Sequence, residues 1–154
     1  GPRGKAQSFR ESSMRKGAIS ALALAPPLLE GKARQSVPHP MPPAFEIAVR
    51  VYHEDTDFSG VVYHARHLQF FERGRTEALR ASGVSHSDLL ARAEPLAFAV
   101  RRMTVEWRAP ARIDDLLTVR TRFGDVRGAR MMIAQEIARG DTIIATADVE
   151  AACM

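Results

Sequence analysis

The chain has 154 residues, 45% of them apolar, with 22 lysines and arginines against 18 acidic side chains for a formal charge of +4. That is enough chain and enough apolar content for one domain with a core. Residues 1–40 carry seven of the basic groups and two of the acidic ones, leaving fifteen against sixteen for the rest, so the domain itself offers no basic surface for nucleic acid. No apolar run approaches the roughly 20 residues of a membrane span, and a lone Cys153 excludes an internal disulfide or a cysteine metal cluster.

All three lysines (Lys5, Lys16, Lys32) lie in the first 40 residues, together with Pro26, Pro27, Pro38 and Pro40, and Pro42 and Pro43 follow. Such a composition disfavours packed structure. Arg15 and Lys16 followed by AISALALAPPLL superficially resemble a secretory or Arg-rich targeting segment. Residues 1–43 are therefore expected to be a disordered or processed leader, or a start-site artefact with Met41 as the natural start. Residues 44–154 are expected to form the domain.

From Phe45 the pattern becomes regular. Phe45, Ile47, Val49 and Val51 alternate with polar or small neighbours, which predicts a half-buried strand. An acidic turn (Glu54, Asp55, Asp57) and Ser59-Gly60 follow, and a helix is predicted from His64 to Ser82 with Gly83 as its stop. Its apolar stripe is read as Leu68, Phe71, Gly74, Ala78 and Leu79, with Arg73 and Glu77 as a pair one turn apart. The small Gly74 and Ala78 would let it lie close to a sheet. A short helix over 85–93 has Ser85 as N-cap and Asp88 at the capping-box spacing. Four strands are predicted beyond it, over 96–107, 116–123, 131–138 and 142–153, with turns at Gly124-Asp125, Arg127-Gly128 and Gly140-Asp141. Trp107 and Met103 read as core. One strand, a long helix and four strands in succession describe an α+β domain: an antiparallel five-stranded sheet wrapped around one long helix. Its edges and apolar area predict a homo-oligomer.

The stretch YHEDTDFSGVVYHARHLQFFERGR, residues 52–75, carries the chemistry. It delivers carboxylates to a helix start, where unpaired N–H groups can polarise a carbonyl or hold an anion. On one reading Asp57 is a general base or nucleophile and the backbone amides near Tyr63 and His64 form an oxyanion hole. On a second, His53, Glu54, Asp55, Asp57, His64 and His67 gather a divalent metal, although no HExxH pattern is present. On a third, the acids merely satisfy turn amides and His64 caps the helix. Tyr52 could hydrogen-bond in the site or simply pack. Arg101, Arg102, Arg108 and Arg112 could meet the phosphates of a nucleotide-bearing cofactor or be solvated strand-face charges.

The same stretch, with AVRRMTVEWRAPARIDDLL beyond it, resembles the hot-dog-fold acyl-CoA thioesterases, nearest to the Tol-Pal-associated (YbgC-like) and 4-hydroxybenzoyl-CoA branch, over residues 45–154. The resemblance implies that Asp57 is the catalytic carboxylate, and that His64 and Tyr63 mark the helix start whose backbone amide polarises the thioester carbonyl. It implies no metal and no cofactor. Tyr52, Phe58, Gly60, Val61, Leu68, Phe71 and Glu72 then become expected substrate-binding positions. It also implies acyl-CoA as substrate, a homodimer or homotetramer with sites at the dimer interface, a cytoplasmic location and, by family alone, a link to the Tol-Pal envelope system. Phe58-Ser59 stands where relatives carry small residues, so Phe58 is expected to narrow the acyl pocket. The chain stops at Met154, within the last predicted strand, whereas relatives usually run on for some distance. A non-catalytic acyl-CoA or acyl-carrier-protein binding module and a hot-dog dehydratase are the alternatives.

Overall fold

A computed structural model describes residues 43–154, and the expected leader, apart from Pro43, lies outside the described residues. β1 (Phe45–Arg50) pairs antiparallel with β3 (Leu116–Arg127), with Phe45 opposite Thr121 and Arg50 opposite Leu116. β3 folds back on β4 (Arg130–Arg139), β4 on β5 (Thr142–Cys153), and β2 (Phe98–Trp107) closes on β5, giving the order β1-β3-β4-β5-β2. Every pairing is antiparallel, and β1 and β2 are the two edges.

The long helix α1 (Arg66–Ala81) packs on β1, β3 and β4. Its buried positions are His67, Phe70, Phe71, Gly74, Ala78 and Leu79. The expected stripe is thus corrected at its start: Leu68 is 39% exposed, and His67 and Phe70 take the inward positions. The steps 67, 70, 71, 74, 78 follow the three-and-four spacing of one helix face, which a histidine at its head disguises. Phe70 and Phe71 are fully buried, each worth about 1.5–3 kcal/mol relative to exposure. Arg73 lies over the Phe70 ring, 5.7 Å from its centroid, and Glu77 pairs with Arg80 rather than with Arg73.

Gly74 sets how closely α1 approaches the sheet. A Cβ there would stand 2.8 Å from Val119 Cγ1, 2.9 Å from Thr121 Oγ1 and 3.2 Å from Gln135 Nε2. Buried Gln135 locks this contact by donating to the Phe71 carbonyl (2.9 Å) and to Thr121 Oγ1 (2.8 Å), while its Oε1 accepts from Arg75 Nη1 (2.8 Å). α1 ends at Gly83, whose φ of +85° suits a residue without Cβ, with Val84 N–H reaching back to the Leu79 carbonyl. Ser85 caps the short α2 (His86–Leu90) by accepting from Asp88 N–H at 3.1 Å. α2 ends three residues before the expected Ala93.

Two further expectations change. No turn forms at Gly124-Asp125: β3 runs through it to Arg127, and a bulge between Phe123 and Val126 absorbs the irregularity. Gly124 suits the close approach there, since a Cβ would meet the Met132 carbonyl oxygen at 3.3 Å, tighter than an ordinary contact. Trp107 is not core but 48% exposed, because it faces outward at the end of the edge strand β2, while Met103 packs against the core from a half-buried position.

Candidate active site

The site grows from the end of β1. Val51 is fully buried and tied on both sides to the loop before β3, donating to the Asp115 carbonyl (2.9 Å) and accepting from Asp114 N–H (3.0 Å). A single 3₁₀ turn, His53–Asp55, then reverses the chain. Asp55, 1% exposed, accepts the Tyr52 N–H at 2.8 Å, and its other oxygen lies 3.4 Å from Arg66 Nε in the first turn of α1. Arg66 also donates to the Glu54 carbonyl (2.9 Å). The first aspartate of the motif, Asp55, is therefore the strut between loop and helix.

The next residues make a miniature hairpin that carries Asp57 at its tip. Asp57 N–H donates to the Val61 carbonyl and Gly60 N–H to the Asp57 carbonyl, both at 3.0 Å, and Gly60 has φ +78°. This is a three-residue loop closed by a left-handed glycine. Thr56 bridges Val62, Val61 bridges Arg112, and Val62 N–H donates to the Ala111 carbonyl (2.8 Å), so the returning arm is fixed to the segment between β2 and β3 as it enters α1.

Asp57 Oδ1 accepts from Ser59 N–H at 2.8 Å and from the Ser59 hydroxyl. Those two bonds, hydroxyl first, hold the Asp57 carboxyl below the usual carboxylate range despite slight desolvation, and the nearby His64 adds to the effect. Asp57 is consequently ionised at neutral pH, with Oδ1 fixed by Ser59 and Oδ2 unbonded among the described residues. Phe58 projects fully into solvent at the loop tip rather than lining a pocket within the single chain.

Of the two helix-start amides expected from sequence, Tyr63 N–H is taken by the Asp55 carbonyl at 3.0 Å. His64 and Ala65 N–H have no acceptor among the described residues. The His64 side chain is exposed, its ring 4.4 Å from that of Tyr63 and edge-on to Trp107 at 5.9 Å. His67 is 3% exposed, and its Nδ1 lies 3.2 Å from the His64 carbonyl oxygen. Burial, above all, pulls the His67 ring below its ordinary pKa, against the neighbouring carbonyls, so it is neutral.

Among the remaining expected positions, Tyr52 is 60% exposed and Phe71 lies wholly inside the core. Leu68 and Glu72 line an open groove along α1 with Gln69, Arg73 and Arg75. At Glu72 and Arg75 this groove meets a largely apolar cavity of about 130 Å³ walled by Leu79, Phe98, Val100, Phe123, Met131 and Ile133. Glu72 accepts from Thr76 Oγ1 at 2.6 Å at its mouth. Neither cleft includes Asp57. The six residues of the metal reading do not come together: Asp55 and His67 turn inward, and no group of three such ligands forms among the described residues. Of the arginines considered for phosphate, Arg101 pairs with Glu150 and Arg108 with Glu106, both at 2.9 Å. Sequence reasoning missed the inward His67, the bond from Trp107 Nε1 to the His64 carbonyl (3.3 Å) and the role of Asp55. The i,i+3 spacing of His64 and His67 was the available signal, since it places the second ring under the first residue's carbonyl.

Residues 59–146 match the family model described as the Thioesterase superfamily. The chain is 46% identical over 111 residues to the acyl-CoA thioester hydrolase YbgC of Escherichia coli O6:H1, covering 71% of this chain and 81% of that protein. It is 44% identical over 110 residues to the acyl-CoA thioesterase YbgC of Haemophilus influenzae, covering 71% and 80%. The crystal structure of a probable thioesterase from Bartonella henselae superposes with a TM-score of 0.71 at 47% identity, covering 72% of this chain and 91% of that one. The chain belongs to the thioesterase superfamily and has that family's hot-dog fold, a five-stranded antiparallel sheet around one long helix.

Proposed function

We propose that the protein is an acyl-CoA thioesterase whose domain, residues 44–154, uses Asp57 as base or nucleophile against a thioester carbonyl polarised by free N–H groups at the start of α1. The observation that carries it is the Asp57 carboxylate itself: ionised, one oxygen fixed by Ser59, and set on a rigid hairpin that runs directly into the helix start. Attack by that carboxylate forms a mixed anhydride and expels the CoA thiolate, after which water releases the acid. As a base, it instead takes a proton from the water that attacks. In either route negative charge builds on the carbonyl oxygen, where backbone donors are most effective. The names of the 44–46% identical relatives supply acyl-CoA as the substrate class.

The active unit in this reading is a homodimer, or a homotetramer of two dimers. β2 is an edge strand of ten residues with no neighbour on its outer side among the described residues, and Tyr52, Phe58, Tyr63 and Trp107 all stand 47% exposed or more. Both are features that a second copy would cover. Antiparallel pairing of two β2 strands about their middle brings Phe98 and Val100, which wall the apolar cavity, beside the other copy's Trp107, which touches His64. The acyl chain would then enter one copy's cavity while the other copy's Asp57 attacks. Family resemblance extends the proposal to the cytoplasm and to a link with the Tol-Pal envelope system, both testable by fractionation and co-purification. Among the described residues no helix is long and apolar enough to cross a membrane.

The test is CoA release, followed with a thiol reagent, over short, long and aromatic acyl-CoAs for the wild type and Asp57→Asn. Turnover that falls by several orders of magnitude in the variant supports the reading. A wild type that binds but never hydrolyses any of them makes it a binding module instead.

A further inference from the structure

The His64 carbonyl is held from two sides by ring donors. Trp107 Nε1–H, from the end of β2, reaches it at 3.3 Å, and His67 Nδ1, one turn further along α1, lies 3.2 Å away. A carbonyl only accepts, so Nδ1 carries the proton, and the lone pair of the neutral ring resides on Nε2. That nitrogen is buried with no hydrogen-bond partner among the described residues. An unmade bond at a buried acceptor is unfavourable, and leucine at this position of the apolar stripe would avoid it. The ring is thus better explained by what Nδ1 does than by packing.

We infer that Trp107 and His67 are positioning residues that pin the His64–Ala65 peptide and thereby aim the Ala65 N–H at the developing oxyanion of the thioester. In a planar trans peptide the carbonyl of one residue and the N–H of the next point in opposite directions. Fixing the His64 oxygen toward Trp107 and His67 therefore fixes the Ala65 N–H away from them. That N–H, like the His64 N–H before it, has no acceptor among the described residues, whereas Tyr63 N–H is engaged with the Asp55 carbonyl, Arg66 N–H with the Tyr63 carbonyl (2.8 Å) and Leu68 N–H with the Ala65 carbonyl (3.1 Å). Ala65 is the N-cap, with φ −71° and ψ −20°, and no side chain caps the helix. The positive end of α1 is thereby left to the substrate. This rests on the thioesterase reading and assigns within it the donor and the groups that aim it.

Trp107→Phe keeps a ring beside His64 and removes only the N–H. His67→Leu removes the second donor, and His67→Asn places an amide N–H close to where Nδ1 stood. Since deleting an oxyanion donor costs roughly 10²–10³ in rate, misaiming one should cost about tenfold. The expected result is a tenfold lower kcat at unchanged KM and unchanged thermal midpoint for Trp107→Phe, a similar loss for His67→Leu, and substantial recovery in His67→Asn. The Ala65 amide is watched independently by ¹H–¹⁵N NMR of the substrate-free protein, where Trp107→Phe should shift its resonance clearly more than those of residues in β3 and β4. A Trp107→Phe enzyme with wild-type kcat, or an Ala65 resonance that does not move, overturns the inference. An inactive wild type overturns the thioesterase reading, and the amide resonance still decides the clamp.

Discussion

Replacing Gly74 by alanine tests whether the helix is held against the sheet as closely as the site requires. In an exposed helix this change is favourable by about 1 kcal/mol, because glycine has the greater backbone freedom to lose. Here the added methyl lands 2.8 Å from Val119 Cγ1, 2.9 Å from Thr121 Oγ1 and 3.2 Å from Gln135 Nε2. None of the three can yield easily: Val119 is a fully buried β-branched residue of β3, and Thr121 and Gln135 are bonded to each other at 2.8 Å. The helix must therefore lift off the sheet by several tenths of an ångström, also lengthening the Gln135 bond to the Phe71 carbonyl. Overpacking of this kind costs about 1–3 kcal/mol, which outweighs the propensity gain. Taking the middle of that range, about 2 kcal/mol, less the gain of about 1 kcal/mol, the net destabilisation is about 1 kcal/mol, a drop in Tm of roughly 4–6 °C for a domain of this size. Thermal and urea unfolding of Gly74→Ala, beside Gly74→Val as a larger perturbation, measure it. An alanine variant as stable as the wild type, or more so, would refute the close approach and with it the placement of α1.

Three other perturbations probe the loop and the edge. Ser59→Ala removes the larger of the two bonds that lower the Asp57 pKa. The wild-type rate should stay flat with falling pH until below the ordinary aspartate value of roughly 3.9, and the acid limb of the variant should lie at higher pH; an unmoved limb counts against Asp57 as the titrating group. Arg66→Ala leaves the buried Asp55 carboxylate without its cation, a loss of about 1–3 kcal/mol, and loosens the hairpin, so kcat and Tm should fall together; a variant indistinguishable in both shows that Asp55 is not the strut described. A proline at Thr104, in the middle of β2, should lower the sedimenting mass to that of one chain and abolish turnover; a fully active monomer would sink the two-copy site.

The large elements were legible because their apolar periods are strong: β1, β4 and β5 alternate cleanly, and α1 has small residues where it must approach a sheet. Its stripe was misplaced at the start because the inward residue is a histidine, which periodicity scores as polar. Gly124-Asp125 looked like a turn because a bulge uses the same residue type for a different reason, the approach of the Met132 carbonyl. Trp107 looked like core because aromatic area predicts burial unless the strand is known to be an edge, and edges are decided by sheet order. The same limit applies to the site. The motif marked Asp57 and the helix start, but which amide is free depends on the Asp55 carbonyl capturing Tyr63 N–H across the loop. The partners of Asp57, supplied by Ser59 two residues away, were local and therefore closer to reach.

The most direct measurement is a crystal structure with a non-hydrolysable acyl-CoA analogue in which a methylene replaces the thioester sulfur. The account places its carbonyl oxygen within about 3 Å of the backbone N–H groups at His64 and Ala65, with Asp57 Oδ2 about 3–3.5 Å from the carbonyl carbon or from a water poised on it. A carbonyl seated instead beside Glu72 and Arg75, with Asp57 still turned to solvent, would contradict it.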